Sequence, residues 1–282
     1  MSKESILKNI KFILSDLDGT ILNNKSELEP ETKKIIAELI SKGVQFSLAS
    51  GRLHSAMVLF AKELNLDLPI ISLDGCYIKD LNSSEPLYCV PVKEKHVLKA
   101  VTMANQLLVN IALCHAEAIY FTESNSLIPK LMDKYGAVYQ EVRSYNGYLR
   151  NTLEIVLASD DKESILKIKN RLEEPFSFGL TTSYFRSRTH QGIYYLEIRK
   201  RSASKGKGFL RLIKALKIKE NASAVIGDWY NDISLFETNA FKVALENSVP
   251  ELKRKADLAI PKTNDEGGAA EFFEMVLRAK TS

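Results

Sequence analysis

The sequence predicts an α/β protein, with a parallel-sheet core interrupted by an inserted α+β domain. Three observations carry this. Short apolar runs alternate with amphipathic helical stretches as far as Asp74, that rhythm stops between about residues 80 and 195, and it returns from Lys205 onward. Alternation of strand and helix with short connections is the pattern of a parallel sheet with crossover helices. The chain has 282 residues, long for one core and suited to two domains. The expected division is residues 1–80 with 196–282 for the core, and 81–195 for the insertion.

Residues 11–17 read as a short buried strand. In "EPETKKIIAELISKG", Pro30 and Glu31 suit a helix start, Ile35, Ile36, Leu39 and Ile40 form an apolar face, and Gly43 marks the stop. "VQFSLAS" is a second strand, "HSAMVLFAKELNL" a second helix and "LPIISL" a third strand. The insertion begins with two extended pieces around the polar turn Asn82-Ser83-Ser84. A helix near 93–107, strands "NIALCHA" and "AIYFTE", and a helix near 124–135 come next. "TLEIVLAS" is a strand, and "DDKESILKIKNRLEE" a helix with acidic residues at its start and Ile165, Leu166, Ile168 and Leu172 inward. Strands near 176–185 and 192–198 complete an expected antiparallel sheet. "KGKGFLRLIKALKI" then begins a helix, and "ASAVIGD", "FKVAL" and "DLAI" are further strands.

Composition narrows the class. Hydrophobic residues make up 45% and charged residues 26%, ordinary for a soluble globular protein. A net charge of +4 is small for this length and does not by itself indicate a nucleic-acid binder. Cys76, Cys89 and Cys114 are widely spaced and odd in number, so neither a disulfide framework nor a zinc site is supported. Lys8 and Lys11 break the apolar residues of "MSKESILKNIKFIL", which lacks a signal-peptide core, and no run is long enough to span a membrane. The expectation is a cytoplasmic protein with no membrane partner, and a monomer by default.

The chemistry lies in two acidic clusters. In "FILSDLDGTIL" an apolar strand ends in Asp16 and Asp18, although a buried strand normally excludes ionised carboxylates. Strand alternation places the two on one side. They sit at the carboxyl end of a predicted parallel strand, where open α/β sheets bind ligands. "VIGDWYND" has the same form, with a strand, Gly227, then Asp228, Asn231 and Asp232. If the two strands are neighbours, the carboxylates share one crevice and repel each other unless a cation sits between them. Oxygen ligands select a hard cation, here Mg²⁺.

Two further corners complete the set. "LASGR" brings Ser50, Gly51 and Arg52 to a strand-to-helix turn suited to a phosphate oxygen. "SASKGKGFL" places Lys205 at the mouth of a helix whose apolar positions Phe209, Leu212 and Leu216 recur at helical spacing. A nucleophilic Asp, a hydroxyl, a Lys and a metal are the set needed to attack a phosphate ester.

The combination of "DLDGT", "SGR", the lysine of "SKG" and "GDWYND" resembles the haloacid dehalogenase superfamily of phosphatases. The large insertion between the second and third motifs resembles its Cof-type, class IIB branch, and "LENSVPELKRKAD" with "TNDEGGAAEFF" is similar to that branch's ending. The resemblance implies a Rossmann-like core with a substrate-selecting cap. It implies Asp16 as nucleophile and Asp18 as general acid/base, with Ser50 and Lys205 on the phosphoryl group. Mg²⁺ would take the Asp16 carboxylate, the Asp18 carbonyl and Asp228, with Asn231 and Asp232 in support, and Asn247 would help orient the site. Lys205 competes with Lys207 for the lysine role, and the Lys-Gly before a helix favours Lys205. One departure stands out: the branch commonly has Asn-Gly after its third strand, and here it is Asp74-Gly75. Candidate substrate contacts are Gly51, Arg52, Asp74, Gly75 and Asn231, with Arg188 and His190 of the insertion facing the distal groups.

Blander readings weigh against single features more than against the set. A lone Asp-x-Asp is usually a solvated turn, and a lone serine before a helix is often a cap. The run Arg199 to Lys219 holds nine Lys or Arg, most of which read as a solvated helix face. A nucleic-acid patch there lacks interleaved aromatics. His54, His96, His115 and His190 are isolated. Trp229 and Tyr230 stand where small residues are often found, and read as packing residues first and as a narrowing of the entrance second. The expected function is a Mg²⁺-dependent phosphatase of small phosphorylated metabolites, sugar phosphates first. The alternatives are a phosphosugar mutase and a non-catalytic phosphometabolite- or nucleic-acid-binding protein.

Overall fold

In the computed structural model, residues 3–131, 136–173, 179–187 and 190–281 are described. In chain order the strands are β1 (Phe12–Asp16), β2 (Gln45–Ala49), β3 (Ile70–Ser72), β4 (Tyr77–Lys79), β5 (Tyr88–Cys89), β6 (Asn110–Cys114), β7 (Ile119–Phe121), β8 (Tyr139–Glu141), β9 (Glu154–Ser159), β10 (Leu180–Arg186), β11 (Tyr194–Lys200), β12 (Ser223–Gly227), β13 (Phe241–Ala244) and β14 (Leu258–Ala259). The chain divides into two compact units, Met1–Gly51 with Met57–Leu87 and Ser204–Ser282, and Arg52–Ala56 with Tyr88–Ala203.

The first unit is α/β. Its strands run in the order β14-β13-β12-β1-β2-β3-β4. Neighbours are parallel except β3 and β4, which pair antiparallel through Ile71 and Ile78. Every residue of β1 is buried, as expected for a central strand covered on both faces. Alternate side chains divide between those faces. Phe12 stacks on Phe209 of the helix Lys205–Ala215, with ring centroids 6.2 Å apart. Ile13 belongs instead to the core shared with Ile36 and Leu39 of the helix Pro30–Ser41 and Phe272, Phe273 and Val276 of the helix Gly268–Thr281. Each such buried side chain contributes about 1.5–3 kcal/mol of transfer free energy.

Pro30 opens its helix as read from the sequence, and Gly43 follows the end with a φ of 81°. Ile40 is a correction: it is 37% exposed and lies off the buried stripe of Ile35, Ile36 and Leu39. The helical period carries its side chain past the edge of the core.

The second unit is α+β, with strand order β10-β11-β9-β6-β7-β8. The helices Glu94–Gln106 and Lys162–Glu173 supply Val97, Ala100, Ile165 and Ile168 to a core with Ile111, Leu113, Ile155, Leu157, Leu196 and Ile198 from the sheet. The expected antiparallel pairing holds for β10–β11, β11–β9, β9–β6 and β6–β7. The β7–β8 pair is parallel, which corrects it. The intervening chain, long enough for a parallel crossover, includes the short helix Ile128–Leu131. Of the helix read near 124–135, Glu123–Asn125 is a tight turn and Ile128–Leu131 is helical, and residues 132–135 lie outside the described residues. Among the described residues no helix is long and apolar enough to cross a membrane.

Candidate active site

The order of the core sheet places the site. β1 lies between β2 and β12, so the chain runs outward in both directions from it. This is a topological switch point, and the carboxyl ends of the strands beside it open a crevice. Asp16 is the last residue of β1, and Asp228 follows the last residue of β12. Ser50 follows the end of β2. Residues far apart in sequence are thus delivered to one edge by the parallel ladder.

Asp16, Asp228 and Asp232 converge there. Each offers a carboxylate oxygen within 4.8 Å of the others, and all three are buried. Lys205 is fully buried and bridges two of them, its Nζ lying 2.6 Å from Asp16 Oδ1 and 2.7 Å from Asp232 Oδ1. Lys207 is exposed, and its backbone N–H donates to the Ser204 hydroxyl at 3.2 Å to cap the same helix. Of the two lysines, Lys205 is the one shown reaching the acidic cluster.

One ammonium does not balance three carboxylates. Burial, then the negative charge of Asp232, holds the Asp16 carboxyl well above the usual carboxylate range, with Lys205 pulling the other way. Burial and Asp232 likewise push Asp228 up to about 7. Burial works against the charge on Lys205, but Asp16, Asp232 and Asp74 outweigh it and keep the ammonium protonated. The set is an all-oxygen, buried cluster with an excess of negative charge, which is what a hard divalent cation requires of its ligands.

Asp232 organises the second turn. Its Oδ2 accepts from the backbone N–H groups of Asp228 and Trp229, both at 3.1 Å, while Oδ1 takes Lys205. Trp229 packs edge-on against Tyr230 at 5.2 Å, and Tyr230 is 53% exposed. Asn231 donates from Nδ2 to Asp74 Oδ1 at 2.9 Å.

The first turn differs from the sequence reading. β1 ends at Asp16, so strand alternation does not govern Asp18, whose side chain is exposed. The backbone turns through Asp18 and enters the left-handed region at Gly19, with a φ of 73°. A Cβ on Gly19 would collide with the Asp228 carboxylate. Only Asp16 of the pair therefore presents the buried-charge problem. Asn247 secures this turn, its Nδ2 donating to the Gly19 carbonyl at 2.8 Å.

Sequence reasoning passed over several supports. The Thr20 hydroxyl donates to Asp228 Oδ1 at 3.1 Å. Asn264 donates from its backbone to Asn247 Oδ1 and from its side chain to the Leu22 carbonyl, each at 2.9 Å. Ser248 donates to the Gly227 carbonyl at 3.1 Å. Thr20 and Asn264 lay inside the motifs quoted above, and the position of each beside an acidic turn was their signal.

The remaining candidates are placed as follows. Ser50 is buried, its N–H donating to the Ile71 carbonyl at 2.9 Å and its carbonyl accepting from Asp74 at 3.0 Å. The position a Cβ on Gly51 would take lies 3.5 Å from Asp74 Oδ1, so Gly51 and Asp74 are neighbours. Gly75 has a φ of 91°, and a side chain there would strike the Ser204 carbonyl beside Lys205. Arg52 is buried but groups with the second unit. His190 is half-buried in the second unit, its backbone N–H donating to Ser187 Oγ at 2.9 Å. Arg188 lies outside the described residues.

The chain is 28% identical to the protein MG265 of Mycoplasma genitalium over 96% of its own length and 99% of that protein. It is 26% identical to the 5-amino-6-(5-phospho-D-ribitylamino)uracil phosphatase YwtE of Bacillus subtilis, over 95% of this chain and 98% of the relative. Its fold is similar to that of a haloacid dehalogenase-like hydrolase from Bacteroides thetaiotaomicron, with a TM-score of 0.83 at 24% identity, covering 94% of this chain and 98% of that one. The sequence pattern of one family matches residues 13–273, and by that match the chain belongs to the haloacid dehalogenase-like hydrolases.

Proposed function

We propose that this hydrolase is a Mg²⁺-dependent phosphatase that cleaves phosphomonoesters of small metabolites, sugar phosphates first among them, through an aspartyl-phosphate. The observation that carries the reading is the convergence of Asp16, Asp228 and Asp232 at the switch point of the sheet, with Lys205 bridging Asp16 and Asp232. The cation would be held by the carboxylates of Asp16 and Asp228, with the Asp18 carbonyl beside them and Asp232 in support. When bound it would supply positive charge at the phosphoryl oxygens and relieve the repulsion among the carboxylates.

The chain's own residues account for the rest. Lys205 anchors Asp16 through Oδ1, and an oxygen of the Asp16 carboxylate attacks phosphorus. The P–O bond to the alcohol breaks, and Asp18 gives the leaving oxygen a proton. Asp18 then takes a proton from water as the water attacks phosphorus, which frees phosphate and restores the Asp16 carboxylate. The exposure of Asp18 suits a group that must exchange protons with solvent. Ser50 and Lys205 would bind the phosphoryl oxygens in both steps. Selection of the alcohol is assigned to the inserted unit as a cap, with Arg188 and His190 as candidate contacts.

The relative that acts on a phosphorylated ribitylaminouracil supports a small phosphorylated metabolite as the substrate class. The experiment is a panel of phosphorylated sugars, nucleotides and cofactors, scored for release of free phosphate with Mg²⁺ and with EDTA. Phosphate release from at least one ester, stopped by chelator and restored by Mg²⁺, is the expected result. Conversion to an isomeric phosphate without release would make the protein a mutase, and a rate indifferent to EDTA would remove the metal.

A further inference from the structure

Three consecutive residues between β3 and β4 have positive φ: Leu73 at 48°, Asp74 at 49° and Gly75 at 91°. Only the third is glycine; aspartate enters the left-handed region more readily than most residues, while for leucine it costs roughly 1–2 kcal/mol. Such a conformation persists where its surroundings over-determine it. Here the Asp74 N–H donates to the Ser50 carbonyl at 3.0 Å, and the backbone of Gly75 lies against that of Ser204. The result is that the Asp74 carboxylate is buried, 5% exposed, and accepts from Asn231 Nδ2 at 2.9 Å.

Asp74 therefore stands between two turns. Its backbone is tied to Ser50, and its side chain is tied to Asn231, which lies between Asp228 and Asp232. The chemistry of the pair also fixes an orientation. An ionised carboxylate only accepts hydrogen bonds, so the amide must turn its NH₂ end to Asp74. Its other end, Asn231 Oδ1, is then buried with no partner among the described residues. A buried acceptor left unmet costs about 1–3 kcal/mol, a cost that an arriving donor would remove. An asparagine at position 74 would impose no such orientation, because an amide offers both a donor and an acceptor.

We infer that Asp74 is a positioning residue that couples the Ser50 turn to the Asp228–Asp232 turn through Asn231, and that it fixes the Asn231 amide so that Oδ1 accepts an O–H from the bound ligand. The inference rests on the phosphatase reading for the identity of that ligand. The O–H belongs either to a hydroxyl of the substrate or to a water held by the bound cation. Both present the same donor to the same atom.

The test is a double-mutant cycle on Asp74→Ala and Asn231→Ala, with Asp74→Asn as the conservative variant. Two readouts are taken: the Mg²⁺ midpoint from thermal shifts without substrate, and KM and kcat on p-nitrophenyl phosphate and on a sugar phosphate. Each single change is expected to weaken one of these binding terms at least about fivefold, and the double variant to stay within about twofold of the weaker single. Asp74→Asn keeps an acceptor for Nδ2 but lets the amide flip, so it is expected to recover part of the loss. A loss confined to the sugar phosphate assigns the O–H to the substrate, and a loss shared by both esters with a shifted Mg²⁺ midpoint assigns it to water. Losses that multiply in the double variant, or singles that move neither readout, overturn the proposal. If the alanine variants do not fold, Asp74→Asn carries the test, and an unchanged Mg²⁺ midpoint and KM in it overturns the proposal as well. Should the wild type release no phosphate from any ester, the phosphatase reading fails, while the thermal-shift cycle still reads the coupling.

Discussion

Lys205 Nζ lies 2.6 Å from Asp16 Oδ1, with both groups buried, and the same ammonium reaches Asp232 at 2.7 Å. The cluster is held together by one cation and strained by the charges that cation does not neutralise. Its stability and its affinity for metal are consequently opposed, and the two can be moved separately by substitution.

Lys205→Met removes the ammonium and leaves the carboxylates to face each other in a buried site. Breaking a buried pair in this way costs about 3–5 kcal/mol. In EDTA the variant is expected to unfold at a clearly lower temperature than the wild type, with part of the loss recovered on adding Mg²⁺. Calorimetry with and without the metal checks this, and equal Tm values in EDTA would show that the ion pair carries no stability.

Asp228→Asn acts in the opposite direction. The amide keeps the volume and still accepts from the Thr20 hydroxyl, which donates to Asp228 Oδ1 at 3.1 Å. It deletes one of the mutually repelling charges. The metal-free variant is expected to melt a few degrees above the wild type near pH 8, at the expense of Mg²⁺ affinity and turnover. Thermal melts paired with a Mg²⁺ titration read both effects.

The response to pH follows from Asp228, whose carboxyl burial pushes up from 3.8 to about 7. A raised carboxyl stabilises the metal-free fold fully below the unfolded value, and that contribution is lost as pH rises through the folded one. A cation competes for the same oxygens and releases the proton. The gain in Tm from saturating Mg²⁺ is therefore expected to grow between about pH 6 and about pH 8. A gain that is flat or shrinks over that interval would place the titrating group elsewhere.

Gly19→Ala tests the first turn. The backbone there has a φ of 73°, and a methyl group would meet the Asp228 carboxylate. Strain alone costs about 1–2 kcal/mol, before any displacement of Asp228 is counted. Urea unfolding should show that loss, and the Mg²⁺ midpoint should rise with it. An alanine variant with wild-type stability and metal affinity would mean that the turn is looser than its geometry implies.

What could be read from the sequence divides along physical lines. Strands such as "FILSD" and "SAVIG" declare themselves because a central parallel strand must be apolar on both faces, and the carboxylates that end them stand out against that background. The meeting of Asp16 with Asp228 followed from parallel neighbours sharing one edge. β8 was invisible because Tyr139–Glu141 is a largely polar edge segment with no buried alternation. Its parallel pairing was hidden for the same reason. The side on which Asp18 falls was misread because the strand ends at Asp16, two residues before the alternation argument needed it to. The Asp74-Gly75 dipeptide is a local turn signal that the reading did not use, whereas the left-handed Leu73 has none of its own.

The most direct measurement is the rate of Mg²⁺-dependent phosphate release from p-nitrophenyl phosphate by Asp16→Asn beside the wild type, with the Tm of both recorded. If the Asp16 carboxylate attacks phosphorus, turnover should drop by about a thousandfold or more while the variant remains folded. A folded Asp16→Asn protein that hydrolyses the ester at close to the wild-type rate would contradict the account.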